Sequence, residues 1–516
     1  MLTLAEFPFS LLAVQTISAK DIIRRIRAEN PWWQVEHQVS ADHQKWTPRA
    51  YFDLFFPLVK MTAPRRAVVL MGPRRVGKTV MIHHAIKALL ETGVQSEAVC
   101  YFSVDHPIYN ELSLEKLFKY YLQASGVNPK ADQLYIFFDE IQYLRKWEVH
   151  LKSFVDTHRN VKSIASGSAA AALKLRSAES GAGRFTDFLL PPLTFYEYLQ
   201  LLNKSDLVKR FSEGAPEFYW SPRIEELNDE FLNYLNFGGY PEVIFSPQIQ
   251  ADPGRFIKSD IIDKVLLRDL PGLYGIRDIQ ELNYLFTTLA FNTANEISLE
   301  ELSQNSGVAK NTIKRYIEYL EAAFLIKVVH RIDRNAKRFR RANFFKVYLT
   351  NPSMRAALFS PLTANDNEAV SSLAETAIFC QWFHSGQQLY YARWNDGEVD
   401  IVHLNQKQKA SWVVEVKWSD RFVDHPKELK ALTSFCRHNK LSLAFVTSRT
   451  KWAWLKDLRP VPFFFMQASV YCYAVGANIL QRMKQPMESS FQQLGFHIGA
   501  SQLPEAESSL ENGGSE

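Results

Sequence analysis

The sequence predicts an α/β protein of several domains, and three observations carry that reading. Continuous apolar runs at 67–71, 98–104, 134–138 and 161–165 alternate with helical periodicity, the pattern of parallel strands buried on both faces. The first run leads through Gly72-Pro-Arg-Arg-Val-Gly-Lys-Thr79 into an apolar helix, the setting of a phosphate-binding P-loop. A second α/β segment near the C-terminus carries carboxylates and a lysine in ordered spacing. A length of 516 residues allows about three domains. Hydrophobic residues at 47% and charged residues at 22% exclude a disordered or fibrous chain.

In chain order, residues 1–60 read as an accessory helical segment, with Ile22, Ile23 and Ile26 at helical spacing before the break at Asn30-Pro31. The N-terminus lacks a basic n-region, so a secretory signal is not expected. Residues 61–200 form the expected three-layer P-loop NTPase domain of AAA-like type. Residues 201–272 read as a helical lid with a turn at Gly238-Gly239-Tyr240-Pro241.

Residues 273–350 have winged-helix shape. Ser298 is placed to cap one helix and Gly307 to form the turn. Val308, Ile313, Ile317 and Leu320 give the second helix its inner face, so Lys310, Asn311, Thr312, Lys314 and Arg315 point outward. Segments 325–329 and 344–348 would form the wing. Residues 310–341 hold ten Lys/Arg against three acids, a local excess of +7 that exceeds the +5 of the whole chain. DNA is the partner this distribution suggests.

Residues 366–485 form the second α/β domain, and 486–516 an acidic, disordered tail. The apolar stretch 461–480 is interrupted by Pro462, Gln467, Ser469, Gly476 and Asn478. It reads as a buried strand followed by a helix, and no membrane association is expected. The four cysteines are scattered without a CxxC pair, so neither a disulfide framework nor a zinc site is expected and a reducing cytoplasm suits the chain.

The nucleotide chemistry follows from residue types. Gly72, Pro73, Arg74, Arg75, Val76, Gly77, Lys78, Thr79 and Val80 would wrap ATP phosphates, with amides turned inward at a helix N-terminus. Lys78 would reach the β- and γ-phosphates, and Thr79 would place its hydroxyl on Mg²⁺. Strand 134–138 ends in Asp139, suited to Mg²⁺, and Glu140, suited to activating water. Ser166 and Ser168 are candidates to sense the γ-phosphate. Arg184, after Gly181 and Gly183, is a candidate for stabilising its developing charge, in cis or from a neighbour in a homo-oligomer.

A third constellation lies further on. Glu375 falls on an amphipathic helix, Asp400 ends Gly397-Glu-Val-Asp400, and Glu415 and Lys417 share one strand face. Asp400 and Glu415 would hold a divalent metal and Lys417 would stabilise a pentavalent phosphate, with Glu375 orienting the set. The arrangement resembles the PD-(D/E)XK nuclease superfamily, and implies a restriction-endonuclease-like fold.

Taken together, these motifs resemble a prokaryotic family that joins an AAA-type P-loop ATPase to a C-terminal domain of unknown function. The matching residues are Gly72–Thr79, Phe138-Asp-Glu-Ile-Gln142, Gly183-Arg184, Pro192-Leu-Thr-Phe-Tyr-Glu-Tyr198, Gly238-Gly-Tyr-Pro-Glu242, Tyr348-Leu-Thr-Asn-Pro352, Gly397–Asp400 and Glu415-Val-Lys417. Asn351 stands where that family often has an acid. The resemblance implies this architecture more than a function; the residues themselves suggest an ATPase that engages DNA, with cleavage by the C-terminal domain as a candidate activity, or an ATP-controlled regulator or scaffold on an inactive nuclease fold.

Overall fold

Five short strands, buried along most of their length, build the first sheet of this computed structural model, which describes residues 18–34, 46–109, 112–130, 132–168, 183–211, 218–339 and 343–484. They are β1 (Ala67–Met71), β2 (Val99–Ser103), β3 (Leu134–Asp139), β4 (Val161–Gly167) and β5 (Phe185–Leu189). All pair in parallel, in the order β2-β3-β4-β1-β5. Helices Lys78–Glu91, Leu114–Ser125 and Trp147–Thr157 connect them. β4 runs past its expected end at Ala165 to Gly167, which brings its tip level with Met71.

The N-terminal segment is more than accessory. Its helix Ala19–Glu29 buries Ile22 and Ile26, as expected from their spacing. Beyond it Asn30 exchanges hydrogen bonds with the Tyr101 backbone, accepting from its N–H at 2.7 Å and donating to its carbonyl at 3.0 Å. Both Trp32 and Trp33 donate their indole N–H to the Val99 carbonyl, at 3.0 and 2.9 Å. These residues cover the open edge of β2, which would otherwise present unpaired amides and carbonyls.

The lid region is mostly helical, with one addition, a hairpin of β6 (Lys209–Phe211) and β7 (Phe218–Trp220). Helix Ile224–Phe237 leads to the glycine turn. At Gly239 a side chain has no room, since a Cβ there would lie 2.0 Å from Asn351 Nδ2. Two stretches, Gly254–Asp263 and Val265–Asp269, are π-helical, a geometry that seldom exceeds one turn.

Helix Ile279–Phe291, strand β8 (Glu296–Ser298), helices Leu299–Ser306 and Lys310–Ala322, and strands β9 (Ile326–Ile332) and β10 (Phe344–Leu349) follow. Ser298 accepts from the Glu301 N–H as an N-cap, and Gly307 adopts φ +70° at the turn. The later strands are β11 (Leu389–Trp394), β12 (Gly397–Leu404), β13 (Ala410–Glu415), β14 (Ala444–Ser448), β15 (Ala453–Leu455) and β16 (Phe463–Gln467).

Among the described residues these belong to one nine-stranded sheet, β15-β16-β14-β13-β12-β11-β9-β10-β8. β9 pairs in parallel with β11, Arg331 opposite Tyr391. The expected boundary between 350 and 366 therefore does not separate two sheets. Helices Asn367–Gln381 and Ala468–Lys484 cover one face, and Lys430–Asn439 the other. The stretch 461–480 is the expected buried strand and helix. No helix among the described residues is long and apolar enough to cross a membrane. The expected tail, 486–516, lies outside the described residues, as do Gly181 and the end of the basic run at Arg340 and Arg341.

Candidate functional site

The phosphate loop sits where β1 ends and helix Lys78–Glu91 begins. At Gly72 a Cβ would lie 2.3 Å from the Leu190 carbonyl oxygen, so only glycine lets β1 leave the sheet this close to the end of β5. Gly77 holds φ +93°, a left-handed conformation that starts the helix. Pro73, Arg74, Arg75 and Val76 lie between them, and Val80 continues the helix.

Lys78 is buried and folds back on its own loop, donating to the carbonyls of Gly72 at 3.1 Å and Pro73 at 2.8 Å. Burial lowers its pKa, while Glu140 and Asp139 oppose that shift. Thr79 Oγ1 donates to Asp139 Oδ2 at 2.7 Å, and the Tyr101 hydroxyl donates to the same oxygen at 2.9 Å. Ser166, on the intervening strand β4, donates to Asp139 Oδ1 and accepts from the Glu140 N–H at 3.2 Å. Ser168 is buried beside the loop, and its hydroxyl has no hydrogen-bond partner among the described residues.

Glu140 adopts φ +56°, an uncommon state for a residue with a side chain and one that clusters at functional sites. Burial raises its carboxyl pKa, with Lys78 pulling the other way, and Gln142 donates to Oε2. The Thr79 hydroxyl and Asp139 carboxylate supply the hard oxygen donors that Mg²⁺ takes. The Gly72 cradle and the inward lysine suit a triphosphate, so these residues fit ATP and Mg²⁺.

Three features were not legible in the motif. Arg49 is buried behind the loop and donates to the Val76 carbonyl at 2.9 Å and the Pro191 carbonyl at 2.8 Å. It also makes a two-pronged ion pair with Glu197, at 3.0 and 2.6 Å. Arg74 pairs with both oxygens of Asp269 at 2.8 Å. Arg75 pairs with Glu242 at 2.7 Å and Asp260 at 2.8 Å. The loop is thereby tied to the π-helical part of the lid. Only the arginine identities were visible beforehand, not their partners.

Arg184 requires a correction. Its carbonyl accepts from the Ala67 N–H at 2.9 Å, at the start of β1, and the phosphate loop leaves from the other end of that strand. Five residues of strand span about 17 Å. Arg184 instead pairs with Asp156 at 2.5 Å, so a role in cis is out of reach.

The C-terminal constellation does converge. Lys417 Nζ lies 2.7 Å from Glu415 Oε1 and 3.6 Å from Asp400 Oδ2, and the Val416 N–H donates to Asp400 Oδ2 at 2.8 Å. Glu375 arrives from helix Asn367–Gln381 and accepts from the Tyr348 hydroxyl at 2.6 Å. A residue missed in the sequence, Lys346 on β10, joins them: it is 2% exposed and lies 2.9 Å from Glu375, 2.7 Å from Glu398 and 3.6 Å from Asp400. Burial pushes the carboxyl of Glu375 up to about 7 and that of Glu415 up to about 8. Burial acts on Asp400 as well, but Lys417, Lys346 and the Val416 amide outweigh it and hold Asp400 below the usual value.

The expected metal meets a difficulty here. Two ammonium groups already lie against the carboxylates that would hold it. Among the described residues no three His, Cys, Asp or Glu side chains are placed to bind a metal ion. Glu415 Oε2 is buried without a hydrogen-bond partner among them, yet its other oxygen is held by Lys417. As arranged, Lys417 lies against both Asp400 and Glu415, and Lys346 against Asp400.

On helix Lys310–Ala322, Lys310, Asn311, Lys314 and Arg315 are exposed and Thr312 is half-buried. Ile313, Ile317 and Leu320 face inward, with Val308 half-buried. Lys310 pairs with Glu300.

Comparison with known proteins agrees with the first domain. Residues 64–199 match a family model described as an AAA domain, and residues 228–366 match one described as a domain of unknown function, DUF8612. Two uncharacterized proteins of Methanocaldococcus jannaschii are 24% identical over 324 and 389 residues, covering 61% and 73% of this chain and 67% and 80% of theirs. An uncharacterized protein of Haemophilus influenzae is 23% identical over 339 residues, 65% of this chain and 78% of its own. Among solved structures, the Aeropyrum pernix ORC1 protein in complex with DNA aligns with a TM-score of 0.29 at 12% identity, covering 67% of this chain and 96% of that one. DnaA from Aquifex aeolicus bound to AMPPCP aligns at 0.26 and 15% identity, covering 57% and 92%. By these matches the chain is similar to proteins in which an AAA domain is followed by a domain of unknown function.

Proposed function

We propose that this protein is a Mg²⁺-dependent ATPase whose nucleotide state governs its engagement of DNA. The observation that carries this reading is the Lys78–Thr79–Asp139–Glu140 arrangement at the tip of the first sheet, coupled through Arg74 and Arg75 to the lid. Lys78 would exchange the loop carbonyls for phosphate oxygens. Thr79 and Asp139 would hold Mg²⁺, which neutralises phosphate charge when bound. Glu140 would take the proton of the attacking water. Arg184 would act only from a neighbouring subunit, in a homo-oligomer, and recovery of activity on mixing Lys78→Ala with Arg184→Ala protein tests that role.

DNA would be engaged by the exposed side chains of the Lys310–Ala322 helix, with β9 and β10 as the wing of a winged helix. The helix–hairpin order in which Glu375, Asp400, Glu415 and Lys417 follow one another supports a C-terminal fold of the PD-(D/E)XK group. Cleavage at Asp400, Glu415 and Lys417 is one reading of it. The other, an ATP-controlled regulator or scaffold on an inactive nuclease fold, is favoured by the lysine-balanced carboxylates.

The test is ATP hydrolysis with and without DNA, beside cleavage of supercoiled and single-stranded DNA in Mg²⁺ or Mn²⁺. Lys78→Ala is expected to lower hydrolysis by about 10²-fold or more. Unchanged hydrolysis in Lys78→Ala would refute the ATPase reading. Nicking lost in Asp400→Ala would restore the nuclease reading over the inactive one.

A further inference from the structure

The face of the large sheet that carries the carboxylate–lysine cluster continues outward into a surface of different character. Alternation along β9, β10, β11 and β12 puts Arg331, Phe344, Lys346, Tyr391, Arg393, Glu398 and Asp400 on one side, as the pairs Lys346–Val329, Arg331–Tyr391 and Arg393–Glu398 require. At the outer end of this face two phenylalanines are exposed, Phe339 at 46% and Phe344 at 42%. The Arg331 guanidinium lies 5.2 Å from the first ring centre and 5.6 Å from the second.

A single exposed aromatic residue is ordinary on any protein surface. Two that flank one arginine, in a basic hairpin, are not accounted for by packing. Arg334, Lys337 and Arg338 are exposed on the same hairpin, against one acid, Asp333, whose carboxylate caps the turn at Asn335. From this platform the polar contacts run inward without a break. Arg331 donates to the Arg393 carbonyl at 3.1 Å, Arg393 pairs with Glu398 at 2.9 Å, and Glu398 with Lys346 at 2.7 Å. Phe344 and Lys346 are two residues apart on one strand, so their side chains leave the sheet about 7 Å from each other.

We propose that this face binds single-stranded nucleic acid. Bases stack on Phe339 and Phe344, and phosphates lie over Arg331 and Arg393, so that the strand is led towards the carboxylate–lysine cluster. Exposed aromatic rings accept bases only when those bases are unpaired and unstacked, which a duplex does not offer. Cationic groups between the rings track the backbone and add cation–π attraction. The proposal rests on the reading that the protein engages nucleic acid, but it assigns a different surface from the Lys310–Ala322 helix and a different strand state.

The test uses the full chain and fluorescence anisotropy with three labelled probes: an oligothymidylate, a duplex of equal length, and an abasic strand with the same phosphates. Phe339→Ala/Phe344→Ala is expected to weaken oligothymidylate binding by about tenfold or more, leaving the abasic strand and the thermal unfolding midpoint unchanged. Phe339→Tyr/Phe344→Tyr should keep the affinity. Equal loss on the abasic strand, or no loss at all, overturns the stacking site. Duplex binding that persists in Phe339→Ala/Phe344→Ala and falls in Lys314→Ala/Arg315→Ala would support two separate surfaces, whereas no binding of any probe by the unaltered protein overturns both.

Discussion

Arg49 holds the phosphate loop from behind, and its cost of removal is predictable. Its guanidinium satisfies three backbone carbonyls, of Val76, Pro191 and Pro192, and both oxygens of the buried Glu197. Arg49→Ala would strand that carboxylate away from water, a change worth about 3–5 kcal/mol of stability. Urea unfolding should show this, and a loss below about 1 kcal/mol would contradict it. The acid cluster makes a pH prediction. Glu375 and Glu415 bind a proton more tightly in the fold, at about 7 and about 8, than at their ordinary value of 4.5. A raised folded pKa stabilises fully below the ordinary value and loses that contribution as pH rises through the folded one. The unfolding temperature should therefore decline from about pH 5 to about pH 8, and decline less in Glu375→Gln/Glu415→Gln. At this scale Lys78, Thr79, Asp139 and Glu140 were legible because their chemistry is written in local spacing. Arg49 and Lys346 were not, since Arg49 meets Glu197 across 148 residues and Lys346 sits in what reads as an ordinary wing strand.

Between the loop and the lid, the arginine pairs join the π-helical segment to the phosphate loop. Arg74 and Asp269 are both largely shielded from water, and their two-pronged contact draws Val265–Asp269 onto the loop. Asp269→Asn should loosen that segment. The expected readout is faster amide hydrogen exchange across 254–274, with 67–71 unchanged, and unaltered exchange in 254–274 would argue against the latch. The glycine turn adds a second tie, because Gly239 packs on Asn351 at the end of β10. The four expected strands of the first sheet were legible as apolar runs, whereas β5, with Thr186 and Asp187 partly exposed, was hidden at the sheet edge. The π-helical stretches and the Trp32–Trp33 edge cover left no trace, because both depend on partners far along the chain.

For the whole molecule, the run of helices and strands was legible but the joining of the later strands into one sheet was not. The sequence marks a gap at 350–366 by its turn residues, while the parallel pairing of β9 with β11 is a long-range contact that no local pattern records. That pairing has a practical consequence for anyone dividing the protein. A fragment starting at residue 366 would leave the β11 edge bare, with the Tyr390, Tyr391 and Ala392 backbone unpaired and the apolar side chains beside it uncovered. A naked edge of this kind templates the addition of further chains. The 366–484 fragment should self-associate in light scattering at concentrations where the full chain does not. The hairpin formed by β9 and β10 thus serves as an aggregation guard for the strands that follow it.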